Sequence, residues 1–414
     1  MNTTERIDGN PPPCPDRANT AWLTARDQAH ASAALLPARQ VDLPGAFGAT
    51  LAQALVATEP MPAFDTAAMD GYALGSPTPC RVVGALMAGG RPWPAPLTAG
   101  QAVRIATGAR VPAGTVYVLR QEDAVLTPAP PDKGGPVVDG PTRPAGTHIR
   151  RRGEDAATGE VLAPAGTPVN AALLGLAAAS GRGRLTVISR PTVAVIISGD
   201  EVAPAASTLA PAQLHDAIGP MLPSLIDALG GTLDGRRHVP DRPTQLLTAI
   251  HEASDAAVIL VSGATSAGDA DGLRDVLAQT CAELVVESVA CRPGHPQLLA
   301  HWPPQPDRPE QWLIGLPGNP FAAYIAAFTL LGPLLAGLSG RPLPRLPQLV
   351  PVGDLPPTRG SATRLVPVRW NGEPAGTAAG RRPSSLRAAA AADALAAIPA
   401  GWTPGTPVPV VPLH

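Results

Sequence analysis

The most reactive combination of residues lies at 256–271, read as AAVILVSGATSAGDAD. Six apolar residues, Ala256 to Val261, predict a short strand buried on both faces. Ser262, Gly263, Ala264, Thr265, Ser266, Ala267 and Gly268 are all small. A loop of small residues lets an oxyanion come close to backbone N–H groups. Asp269 and Asp271 follow, and Leu273, Val276 and Leu277 predict a helix. A strand, a small-residue loop and a helix N-terminus flanked by carboxylates is where a phosphate and a divalent cation sit together. The simpler reading is that Asp271 caps the helix.

Three other stretches share this form. Thr192–Ile197 leads into Ser198-Gly199-Asp200-Glu201. Leu284–Val289 leads into Cys291-Arg292-Pro293-Gly294-His295-Pro296. Trp312–Leu316 leads into Pro317-Gly318-Asn319-Pro320. Helices are predicted between strands. One, led by Asp216, carries Ile218, Leu222, Leu225 and Leu229 to a Gly230-Gly231 stop. Another, led by Asp241, turns Leu246, Leu247 and Ile250 inward. Strands alternating with helices predict an α/β domain with a largely parallel sheet and helices on both faces. The ligand crevice of such a sheet lies at the carboxyl ends of its strands. Four successive strands ending in polar or turn chemistry point to an anionic ligand held by glycine loops, a cation and carboxylates.

Upstream, residues 61–74 (MPAFDTAAMDGYAL) place Asp65 and Asp70 in a turn-rich stretch, where Asp70-Gly71 is also an ordinary turn pair. Residues 148–155, HIRRRGED, read as a solvated charged turn or as an anion-binding edge. Residues 75–146 are dense in Pro and Gly, with strands at 102–106 and 116–119, and predict a small β-barrel or meander. Helices are predicted at 20–36, at 41–58 with Phe47, Leu51 and Leu55 on one stripe, and at 170–179. After Gly340 a proline-rich linker precedes a strand at 362–370 bearing Arg364 and Arg369, so a small C-terminal β-domain is expected.

Composition bounds the function. The chain has 414 residues, room for two to four domains, and its 45% hydrophobic content can build cores. Aromatic residues make up 3% and the net charge is -2, which argues against a nucleic-acid platform or an anionic-lipid surface. The four cysteines form no CxxC pair and the histidines are scattered, so no zinc site is expected and a reducing cytoplasm fits. Residues 1–19 lack an apolar signal core and read as a loose tail. The uncharged run Phe321–Leu338 is read as a buried core helix, not a membrane span. There is no GxxxxGK[ST], no GxGxxG after a strand, no HExxH and no GxSxG.

Seven motifs occur in the order seen in the molybdopterin molybdenumtransferases, the MoeA proteins and the matching domain of gephyrin. They are AFDTAAMDGYAL, RIATGARVPAG with the following RQED, RRGED, VAVIISGDEV, SGATSAGDAD, RPGHP and GLPGNP. Over roughly residues 20–414 the chain resembles that family. The resemblance implies a multi-domain α/β plus β fold after the tail. Residues 20–58 and 147–190 would form an elongated linker domain, and 59–146 a small inserted β-domain. Residues 191–340 would form a molybdopterin-binding α/β domain, and 341–414 a C-terminal β-barrel. It also implies a cytoplasmic homodimer that inserts molybdate into adenylylated molybdopterin with Mg²⁺, giving molybdenum cofactor and AMP. The adenylyltransferase that supplies the pterin, or the molybdoenzyme apoproteins that receive it, would be further partners.

By motif position, Asp70, Thr107 and Asp155 would come from one subunit, and Glu201, Asp241 and Asp271 from the other. Glu201 and Asp271 would hold the metal. Ser262, Gly263, Ser266 and Gly268 would hold the pterin's terminal phosphate. Arg292, Arg364 and Arg369 would face molybdate or diphosphate charge, with His295, Pro317, Gly318, Asn319 and Pro320 completing the substrate contacts. The chain departs from the family's pattern at His295, where a lysine is usual, at Ala217 and Ile218, where serine and asparagine are usual, and at Ala322, where a serine is usual. The acidic set is kept while polar and basic contacts are thinned. Two functions are therefore expected: an insertase, or a diverged paralogue that binds the pterin or finished cofactor as a carrier or assembly partner.

Overall fold

The computed structural model describes residues 19–128, 134–263, 272–304, 310–352, 360–370 and 386–413. The chain is mixed α/β and forms two compact units. One is Met1–Arg39, Gly48–Ala52 and Val187–His414; the other is Gln40–Phe47 and Gln53–Thr186.

The first unit is built on a six-stranded sheet. Its order is Thr232–Val239, Thr192–Ser198, Val258–Ser262, Gln311–Leu316, Leu298–Trp302 and Glu283–Val286. The first four strands are parallel, and Leu298–Trp302 runs antiparallel to both of its neighbours. The connection at residues 303–310 explains the antiparallel edge, since a parallel crossover needs about a dozen residues or more. Alternate residues of the central strands bury to opposite faces. Val193, Val195 and Ile197 pack in one core with Leu222, Ile226 and the long apolar helix. Ala194 and Ile196 pack in the other with Leu246, Ile250, Leu273, Val276 and Leu277. Helices therefore cover both faces, as the alternating pattern predicts.

Two expectations fail here. The strand read at 284–289 is two strands, Glu283–Val286 and Ser288–Arg292. The second leaves the main sheet and pairs in parallel with Thr363–Val368 and with Asn19–Ala21. Arg292 thus does not end a strand of the parallel sheet. An apolar β-branched run reports burial but not which sheet it joins. The helix read at 41–58 is absent. Ala38–Asp42, Thr50–Leu51 and Leu55–Val56 are short strands, and Pro44–Ala46 is one 3₁₀ turn. Pro44, Gly45 and a Gly48 at φ 74° break the helical period, and Phe47 is 60% exposed.

The run Pro320–Leu338 is long and apolar enough to cross a membrane, yet its apolar window is 94% buried inside the protein. It is a core element. It comprises the helices Pro320–Ala326 and Gly332–Leu338, joined through a π turn at Ala327–Leu331. A π turn frees carbonyls from the α-helical ladder. The Phe328 carbonyl accepts from the buried Arg26 guanidinium, and Trp22 Nε1 donates to Thr329 Oγ1 at 3.0 Å. Burial lowers the Arg26 pKa to about 10. The helix Trp22–Ala31 is anchored to the core at this point.

The remaining strands of this unit form a sheet in the order Asn19–Ala21, Ser288–Arg292, Thr363–Val368, Ala394–Ile398, Val408–Pro412 and Gln348–Leu349.

The second unit holds a six-stranded sheet in the order Val125–Thr127, Val137–Asp139, Cys80–Leu86, Gln101–Ile105, Gly71–Leu74 and Tyr117–Arg120. The strands read at 102–106 and 116–119 appear within a residue of their expected ends. Ala73, Val103 and Val118 bury to one face, and Tyr72, Leu74, Ala102 and Leu119 to the other. The helix read at 170–179 is Ala171–Ala179, capped by Asn170.

Candidate functional site

In the first unit the carboxyl ends of the parallel strands line up residue by residue. Ser198 pairs with Val239, Ile197 with Ser262, and Ser262 with Leu316. The chain beyond these ends therefore forms one edge, made by Gly199 to Glu201, Asp241, Gly263, and Pro317 to Asn319. One glycine lets the backbones crowd there. A Cβ on Gly263 would lie 2.2 Å from the Ser198 carbonyl oxygen, and Gly263 sits at φ 96°. Gly318 in turn lies against Gly263, whose Cα would be 3.7 Å from its Cβ.

The polar side chains on this edge are held in place. Ser198, 2% exposed, donates its hydroxyl to Asp241 Oδ1 at 3.1 Å. Asp241 N–H points to Asp200 Oδ1 at 3.4 Å. The Glu201 carboxylate folds back over Gly199, where a Cβ would meet Oε2 at 2.8 Å. Asp216 accepts from Ile218 N–H and Gly219 N–H, so it caps its helix and is not a free acid. Asn319 likewise caps the apolar helix through Ala322 N–H at 3.0 Å, with Pro320 at the first turn. Ser262 is buried at its strand end. Asp241, Ser198, Arg242, Pro243, Leu246, Gly272 and Asp275 line a cleft of about 110 Å³. Ser266, Gly268 and Asp271 lie outside the described residues.

Arg292 and Arg364 are direct partners across parallel strands, so both start on the same face of that sheet. Arg369 is not with them. It follows the far end of Thr363–Val368, about 16 Å along the strand at ~3.3 Å per residue, and its Nε donates to the Ala391 carbonyl. His295 is exposed, and its carbonyl accepts from Val289 N–H. The neighbouring Gly294, at φ 107°, is bounded by Ala322 O, Cys291 Sγ and Gln297 Nε2, which packs the 292–296 turn on the start of the apolar helix. Burial pushes the Cys291 thiol up to about 12, so it is inert as a nucleophile.

In the second unit three separated stretches form one ribbon. Thr66–Ala67 pairs with Ile149–Arg150, Thr66 bridges Arg110, and Met61 bridges Ala156. Ala67 exchanges hydrogen bonds with Gly108 and Ala109. Thr107 gives its N–H at 2.6 Å and its hydroxyl at 2.8 Å to Asp70 Oδ1. Both donors hold the exposed Asp70 carboxyl below its usual range, the backbone one contributing most. Asp65 accepts from Arg152 N–H at 2.8 Å and from the Arg151 guanidinium at 2.7 Å. Its carboxyl is also held low, chiefly by the Arg152 backbone. Asp155 is exposed on the same ribbon, its N–H donating to Met61 O. Gly71 is required beside Asp70, because a Cβ there would lie 1.9 Å from the Leu119 carbonyl oxygen.

Two family models match the chain. Residues 22–181 match the model of the MoeA N-terminal region (domain I and II), and residues 194–337 match that of a probable molybdopterin binding domain. The molybdopterin molybdenumtransferase of Synechococcus elongatus is 35% identical over 301 residues, covering 69% of this chain and 72% of that protein. The chain belongs to the molybdopterin molybdenumtransferase family. A relative of the same name from Nostoc is 32% identical over 72% of this chain and 69% of its own length. Two Pyrococcus horikoshii structures titled as molybdopterin biosynthesis MoeA proteins share the fold, with TM-scores of 0.71 and 0.74 over 96% and 95% of this chain, at 24% and 19% identity.

Against the family's motif positions, the structure brings Glu201, Asp241, Gly263 and Gly318 to one edge. It joins Asp70, Thr107 and Asp155 in one ribbon, and sets Arg292 beside Arg364. Sequence reasoning assigned no role to Ser198, Asp65 or Asp275. Ser198 had a legible signal, a hydroxyl at the last position of an apolar strand. Asp65 had none, since its partners Arg151 and Arg152 lie 86 and 87 residues away. Among the described residues no group of three or more His, Cys, Asp or Glu is poised to hold a metal. The carboxylate of Glu201 on this edge is an oxygen donor of the kind that fits Mg²⁺, which takes one or two carboxylates and leaves its other positions to water and phosphate.

Proposed function

We propose that this protein inserts molybdate into adenylylated molybdopterin, releasing AMP and giving molybdenum cofactor. The observation that supports this most is the crowded edge where Gly263 lies between Ser198 and Gly318, with Asp241 and Glu201 beside it. Backbone stripped of side chains accepts a phosphate, and carboxylates around it serve a phosphoanhydride only with a cation. Glu201 and Asp271 would hold Mg²⁺, which would supply charge neutralisation at the anhydride. Ser198 orients Asp241, which holds a water or a molybdate oxygen for attack. Ser262, Ser266 and Gly268 complete the phosphate loop, and Arg292 and Arg364 take molybdate or diphosphate charge.

Asp70, Thr107 and Asp155 are read as supplied by the partner subunit of a cytoplasmic homodimer, within the four-domain division implied by the family. Purified protein with adenylylated molybdopterin, molybdate and Mg²⁺ should release AMP, and an Asp241→Asn preparation should do so at least about a hundredfold more slowly. Mixing Asp70→Asn and Asp241→Asn chains should restore part of the activity through heterodimers. Failure of every such mixture, with both chains folded, would reject the shared site.

A carrier reading draws support from Ala322, whose buried methyl stands where the family has a hydroxyl. It requires pterin binding without AMP release.

A further inference from the structure

The second unit holds a cleft that none of the roles above uses. Its volume is about 590 Å³, and its walls include Phe64, Asp65, Trp93, Arg110, Arg151 and Arg152. Small-molecule sites run from about 300 to 1,000 Å³. Two aromatic rings face it. Trp93 is half-buried and set by Gly84, where a Cβ would lie 2.5 Å from the indole ring, so only glycine lets the ring lie so close. Phe64 has the Arg110 guanidinium 5.6 Å from its ring centre. The 112–115 loop is drawn in by Gly114 at φ 78°, where a Cβ would lie 2.4 Å from the Leu97 carbonyl oxygen.

Charge in the cleft is uneven. Asp65 is matched by Arg151 at 2.7 Å and fixes the Arg152 backbone. Among the described residues neither Arg110 nor Arg152 is in an ion pair, so the cleft holds two cations in excess.

We propose that this cleft binds a flat heteroaromatic ring joined to a phosphate, the ring against Phe64 and Trp93 and the phosphate on Arg110 and Arg152. Aromatic faces take a ring whatever its hydrogen-bonding edge. Planar guanidinium groups match phosphate oxygens in pairs. An apolar ligand would leave the two cations without a counter-charge, and bare phosphate would leave the rings unused. Two parts of the substrate named under Proposed function have this chemistry, the adenylate and the phosphorylated pterin. To that extent the assignment rests on that reading.

The test is equilibrium binding to the full chain by calorimetry and tryptophan fluorescence, with AMP, neopterin monophosphate, adenosine and inorganic phosphate as probes. Trp93→Phe identifies the responding indole among the six tryptophans. AMP or the pterin phosphate binds, and the tighter of the two names the source. Adenosine and phosphate bind at least about tenfold more weakly. The pair Arg110→Ala, Arg152→Ala loses at least about tenfold, as expected for charged hydrogen bonds, and Arg110→Lys with Arg152→Lys recovers part. Binding of neither ring phosphate, or unchanged affinity in a folded double alanine variant, overturns the proposal. A measurement on the unaltered chain guards against misfolding. Saturating ligand must protect Arg110 and Arg152 from phenylglyoxal, and unprotected arginines overturn it. Binding here without turnover defeats the insertase reading alone. Turnover with a cleft that ignores both ring phosphates defeats this proposal alone.

Discussion

Thr107 donates twice to a single oxygen of Asp70, through its backbone N–H at 2.6 Å and its hydroxyl at 2.8 Å. The two residues are 37 apart in the chain, and the contact holds an exposed carboxylate in its charged form. Its folded pKa lies below the unfolded value of about 3.9. Any stability it contributes is therefore present above that value and is lost as pH falls through the lower folded pKa. Thr107→Val removes the hydroxyl and keeps the N–H. The Asp70 carboxyl should then titrate higher than in the parent but still below an ordinary aspartate, as read by carbon-detected NMR titration. An unchanged midpoint would show that the hydroxyl contributes nothing.

Ser198 and Asp241 give a second test. The serine is buried and its hydroxyl reaches Asp241 Oδ1 at 3.1 Å. Ser198→Ala should leave the fold intact and cut AMP release by about tenfold, a fraction of the ~10²–10⁴-fold expected for losing an acid–base group outright by Asp241→Asn. Equal losses in the two variants would mean that Ser198 does more than orient the carboxylate.

Gly263→Ala should be costly even without substrate. The new methyl would meet the Ser198 carbonyl at 2.2 Å in a backbone at φ 96°. A loss of at least about 2 kcal/mol is expected in chemical denaturation. Gly318→Ala has only an ordinary 3.7 Å contact to make there, with Gly263 Cα, and should cost much less.

Arg292 and Arg364 sit opposite each other in register, while Arg369 lies at the other end of the same strand. If oxyanion charge is taken by the facing pair, Arg292→Ala should weaken molybdate binding by about tenfold. Arg369→Ala should change it by less than twofold. Competition with sulfate at fixed ionic strength would check this, and equal effects at both positions would argue against a localised site.

The chemistry-bearing residues and their order were legible from sequence alone. The small-residue loop after Val261, the acid pairs and the charged HIRRRGED stretch stand out by type and spacing. So do local elements with strong periodicity. Leu273, Val276 and Leu277 are the buried face of their helix, as their spacing requires, and the strand at 101–105 lies within a residue of its reading.

Partners were not legible. The run at 284–292 has one character in sequence and divides between two sheets in the fold. Phe47, Leu51 and Leu55 have helical spacing, but Pro44 and the two glycines Gly45 and Gly48 leave no helix to place them on. Asp65 meets Arg151 across 86 residues and Ser198 meets Asp241 across 43. Periodicity reports that a residue is buried or exposed, because that depends on its own element. Which other element covers it depends on long-range pairing, whose entropy cost and reward are decided only when the whole chain packs.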